Sequence, residues 1–104
     1  MRNINFNEYA ASTFNMYGGE EVAVILRFIP PLLDTMIDKF GRGKHVEYSA
    51  EDERHYKVRV KVQISDQFFG WVLGFGKRVK IIAPDDVVVK FKEYLDKVRS
   101  IYGE

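Results

Sequence analysis

The sequence contains no cysteine. That absence excludes a disulfide framework, a thiolate metal site and a cysteine nucleophile. Small secreted domains commonly lean on disulfides, so a cytoplasmic location is the expectation. No apolar run approaches the ~18 residues of a membrane span, and no charged leader followed by an apolar core opens the chain. A membrane partner is therefore not expected. An excess of one charge is missing as well: 16 Lys and Arg face 15 Asp and Glu, a formal net charge of +1. Free-standing nucleic-acid-binding domains usually carry a large basic excess, so direct contact with duplex DNA is not expected either. What is present, in 104 residues, is 46% apolar and 30% charged. Those proportions describe one folded domain and not a disordered chain.

Asn5 and Glu8 have the spacing of a capping box, and Phe6, Tyr9, Ala10, Phe14 and Tyr17 follow at helical spacing up to Gly18-Gly19. Residues 22–28 read as a strand whose even positions are all apolar. Pro30-Pro31 opens a helix with Leu32, Leu33, Met36, Ile37 and Phe40 as its buried stripe and Gly41 as its stop. Residues 44–48 read as a short polar strand and 49–53 as an acidic turn. Tyr56, Val58, Val60, Val62 and Ile64 then alternate with Lys57, Arg59, Lys61 and Gln63, the clearest strand signal in the chain.

Ser65 or Asp66 caps a short apolar helix with Phe68, Phe69, Trp71, Val72 and Leu73, in which Gly70 permits close approach. Residues 79–82 form a last strand. Pro84 opens a final helix, with Asp85 and Asp86 at the positive end of its dipole. Val87, Val88, Phe91, Leu95, Val98 and Tyr102 stripe that helix, and Glu93 can pair with Lys97 one turn on. The order predicts an α+β fold: a ferredoxin-like split βαββαβ unit with a four-stranded antiparallel sheet, plus an N-terminal and a C-terminal helix. Residues 1–18 are the linker helix and 19–104 the domain proper. The two long, well-patterned strands belong in the centre, and the two short, charged ones at the edges.

No catalytic constellation emerges, and no cofactor or metal is implied. Gly74-Phe75-Gly76-Lys77 lacks the spacing of a phosphate loop and leads from helix to strand, so it reads as a helix stop. Gly41-Arg42-Gly43-Lys44 reads the same way. His45 and His55 flank a hairpin out of register with one another, and Asp34 and Asp38 share a solvated helix face. Tyr56 has the parity of the core valines, unlike the displayed aromatics of an RNA-recognition motif.

Charge is distributed unevenly along the chain. Residues 1–53 carry a net −4 and residues 81–104 a net −1, whereas residues 54–80 carry a net +6. If the helices cover one sheet face, the other displays Arg27, Lys57, Arg59, Lys61, Arg78 and Lys80. These six are the candidate ligand-binding residues, on a face suited either to solvent or to an anionic ligand.

From Val60 to Pro84 the chain resembles the C-terminal extension (WCX) that follows the WYL domain in bacterial helix-turn-helix transcriptional regulators. The anchors are Ser65, Trp71, Phe75, Gly76, Pro84 and Tyr102, with Phe6, Tyr9, Phe14 and Asp38-Lys39-Phe40-Gly41 upstream. They are packing residues, not chemistry. The resemblance implies a non-enzymatic module for dimerisation and effector response, attached to WYL and helix-turn-helix domains that this chain does not contain. The implied partners are a second copy of the chain, those missing domains, and a nucleotide or single-stranded nucleic-acid effector. The alternative is a stand-alone ferredoxin-like domain that binds a small anionic metabolite or nucleotide on its basic sheet face.

Overall fold

The computed structural model describes residues 21–103. The helix expected over residues 1–18 lies outside the described residues. Four strands form one antiparallel sheet: β1 (Glu21–Phe28), β2 (Glu47–Asp52), β3 (His55–Gln63) and β4 (Val79–Ala83). Their spatial order is β2-β3-β1-β4, so the two long strands are central, as in a ferredoxin-like arrangement. A 3-10 turn at Pro30–Leu32 leads into α1 (Leu33–Phe40); α2 (Asp66–Leu73) follows β3, and α3 (Asp85–Ser100) follows β4.

The sheet buries one face because of its period-two pattern. Val22, Val24, Leu26 and Phe28 stand opposite Val62, Val60, Val58 and Tyr56. With Val79 and Ile81 of β4 they meet Met36 and Phe40 of α1, Phe68, Phe69 and Val72 of α2, and Val87 of α3 in a single core cluster. Phe28 and Tyr56 close one end of this layer edge to face at 6.1 Å.

Local signals set the helix ends. Ser65 caps α2, its Oγ accepting from the Phe68 N–H at 3.1 Å. Gly41, at φ 77°, ends α1. Tyr48 then locks this corner: its hydroxyl donates to the Gly41 carbonyl at 2.7 Å and lies 3.3 Å from that of Met36. Burial pushes the Tyr48 phenol up to about 12, with Arg42 opposing.

Three sequence expectations need correction. The second strand is not residues 44–48 but Glu47–Asp52, so the acidic residues extend it and the turn lies at Glu53 and Arg54. Edge-strand exposure tolerates such a composition. Tyr102 is not part of the buried stripe of α3; it follows the helix and is 80% exposed. Tyr94 takes its place, packing on Phe69 at 5.6 Å and stacking on Phe91. Finally, Glu93 and Lys97 form no ion pair; both are exposed, where such a pair contributes little.

Candidate functional site

The core takes the even-numbered residues of β1 and β3, which leaves the odd-numbered ones on the opposite face. The register places Lys57 and Lys80 on either side of Arg27, in one row across β3, β1 and β4. Neighbouring strands lie about 4.8 Å apart, so three adjacent cations repel one another. Glu51 relieves that repulsion. Its carboxylate accepts from Arg27 Nε at 2.6 Å and from Nη2 at 2.8 Å, a two-point bond that reaches from β2 across β3. The bond holds the Glu51 carboxyl below its ordinary range and raises Arg27.

One row along, Arg59 stands opposite Ile25 on one side and Glu47 on the other, and Lys61 stands opposite Ala23. Both cations are exposed, and neither takes part in an ion pair among the described residues. Beside them the loop between α1 and β2 brings in Lys44 and His45. Together with Glu47, Arg59 and Lys61 these two line a pocket of about 90 Å³, to which Ala23 and Val60 contribute the apolar part.

Five of the six sequence-predicted residues therefore stand on strands of the open face: Arg27, Lys57, Arg59, Lys61 and Lys80. They fall into a row neutralised at its centre and a corner that is not. Arg78 does not join them. It ends the 3-10 turn before β4, with its Nε donating to the Phe75 carbonyl at 3.0 Å and its guanidinium over the Phe75 ring at 5.6 Å. Sequence parity missed Lys44 and His45, because a loop and not a strand carries them to the site.

His55 bonds the exposed Asp52 carboxylate through Nδ1 at 3.1 Å, across the hairpin end and away from His45. Among the described residues no group of three or more His, Cys, Asp or Glu side chains is placed to hold a metal ion. Nor is any helix among them long and apolar enough to cross a membrane.

Of the resemblance anchors, Trp71 and Phe75 serve packing. Trp71 meets Phe40 edge to face at 5.4 Å and Phe75 at 5.0 Å, with Lys39 Nζ over its ring at 5.5 Å. Gly76, at φ 61°, turns the chain out of α2, and Pro84 caps α3. The family model of the WCX domain matches residues 20–99, a span that includes every element described above except the last residue of α3. The chain belongs to the WCX family. WCX is the C-terminal extension of WYL-domain regulators, which places this chain in the context of transcription regulation. No curated protein matches the chain. Within this WCX domain the Trp71–Phe40–Phe75 contacts tie α1 to α2, and the basic face lies on the other side of the sheet.

Proposed function

We propose that this WCX domain is a non-catalytic regulatory module of a WYL-domain transcriptional regulator, acting in dimer formation and effector sensing. The observation that carries the reading is the family match over residues 20–99, joined to a sheet face on which Arg59, Lys61 and Lys80 take part in no ion pair among the described residues. A cationic surface of that kind favours a phosphate-bearing effector, a nucleotide or short single-stranded nucleic acid, over an apolar one. Duplex contacts fall to the helix-turn-helix of the full regulator. Exposed apolar side chains support the dimer: Val89 on α3 is 52% exposed, and Ile101 and Tyr102 just after it more so.

Sedimentation velocity of the 104-residue chain tests the proposal. A dimer at micromolar concentration is the expected result, weakened by Val89→Lys or Tyr102→Ala. A monomer at every concentration up to the millimolar range overturns it.

A further inference from the structure

The centre of the basic row is a poor place for an anion, because Glu51 already occupies both donors of the Arg27 fork. A cluster of available cations lies instead at the corner. Lys44, Arg59 and Lys61 converge on one pocket from a loop and a central strand, and none has an ion-pair partner among the described residues. Size then limits what the pocket takes. Whole small-molecule ligands occupy roughly 300–1,000 Å³, whereas one water needs only about 10–15 Å³. A pocket of about 90 Å³ admits an anionic group of a few heavy atoms with some of its water, but not a base and sugar besides.

Charge narrows it further. The three cations and the Glu47 carboxylate sum to a formal +2, which matches a phosphate dianion. Arg59 supplies the planar fork that fits two phosphate oxygens, and the lysines supply point charges. We propose that the corner pocket formed by Lys44, His45, Arg59 and Lys61 binds a phosphoryl group, free or at the end of a phosphomonoester. The inference rests on the effector-sensing reading above, and names the part of the effector that this domain recognises. Glu47, opposite Arg59, keeps the affinity modest.

The test is an amide-resolved NMR titration of the 104-residue chain with inorganic phosphate, at ionic strength held constant with sodium chloride. Saturable shifts at residues 23, 44–47 and 59–61 are expected. Arg59→Gln should weaken the phosphate Kd at least fivefold and Arg59→Lys less, while Glu47→Gln should tighten it severalfold. Lys90→Gln, on α3, serves as the control and should stay within twofold. AMP should bind at the same residues as phosphate, and adenosine should not. Shifts that fail to saturate, shifts centred on Lys57, Arg27 and Lys80, or a Kd indifferent to Arg59→Gln overturn the site. The spectra themselves report whether each variant is folded. Sedimentation separates the two claims: a dimer without phosphate binding sinks the pocket alone, and phosphate binding by a strict monomer sinks the dimeric regulatory reading alone.

Discussion

Glu51 and Arg27 belong to strands that are not neighbours, yet their side chains meet in a two-point bond over β3. The register of β2 against β3 shifts between Ala50 and Asp52, so Glu51 has no partner of its own in the ladder. An irregular edge strand thereby supplies the counter-ion for the middle of the sheet.

That bond predicts an acid response. Arg27 first, then the charges of Arg27 and Lys57, hold the Glu51 carboxyl low; the Arg54 N–H, followed by His55, does the same for Asp52. Both folded-state values lie below those of the unfolded chain, so the unfolded chain takes up protons first as pH falls. Stability from these groups is complete above the unfolded carboxylate range, about pH 4–4.5. It is lost as pH drops through the lower folded values. Thermal unfolding followed from pH 6 to pH 2.5 should show Tm falling less steeply in Glu51→Gln than in the parent. Identical slopes would mean the bond is absent in solution.

Tyr48 makes the opposite prediction at high pH. Its phenol titrates near 12 when folded and near 10 when unfolded, so the unfolded chain ionises first and stability falls as pH rises across that interval. Tyr48→Phe should remove this contribution. At neutral pH it should cost about 1 kcal/mol, because the Gly41 carbonyl loses its donor. Urea unfolding at pH 7 and pH 10.5 measures both effects.

Phe69 joins α3 to the rest of the domain. Its ring is buried and meets Phe91 at 5.4 Å and Tyr94 at 5.6 Å. Phe69→Ala should cost about 3–5 kcal/mol, a large share of the 5–15 kcal/mol typical of a whole domain. Hydrogen exchange should quicken along α3 before it quickens in β1 and β3. Uniform acceleration throughout would show instead that α3 and the sheet unfold as one unit.

Gly70 illustrates a trade between helix propensity and space. A Cβ there would stand 3.2 Å from the Tyr94 Oη, the end of a side chain whose ring is held against Phe69 and Phe91. Alanine favours a helix interior by roughly 1 kcal/mol over glycine. Gly70→Ala alone should therefore gain less than that, and Gly70→Ala with Tyr94→Phe should recover the full amount. Equal gains from urea unfolding in both backgrounds would remove the steric explanation for the glycine.

The residues that repeat with a clean period were legible in advance. Alternation from Tyr56 to Ile64 located β3, the even-numbered apolar residues located β1, and Ser65 announced the start of α2. Misreadings arose where exposure relaxes the pattern. Acidic residues in β2 resemble a turn because an edge strand needs no apolar face, and Tyr94 does not stand out because Leu95 fits the helical stripe as well. At the site, strand parity located five of the six proposed cations. It carries no information about a side chain that reaches across an intervening strand, as Glu51 does, or one that arrives on a loop, as Lys44 does. Arg78 has the right parity too, but the strand begins one residue later and its guanidinium settles on Phe75.

The place of β1 between β3 and β4 governs the order in which a growing chain can assemble. Residues 21–28 leave the ribosome before either of their neighbours can pair with them, since their partners are residues 56–63 and 79–83. Only β2 and β3 are joined by a tight turn, so the 47–63 hairpin is the first piece of sheet able to form locally. Until it does, Val24, Leu26 and Phe28 have no strand to pair with and stay open to wrong partners, such as another nascent copy of the same segment. A central strand whose Val24, Leu26 and Phe28 end fully buried is thus synthesised before both of its partners and paired only after them.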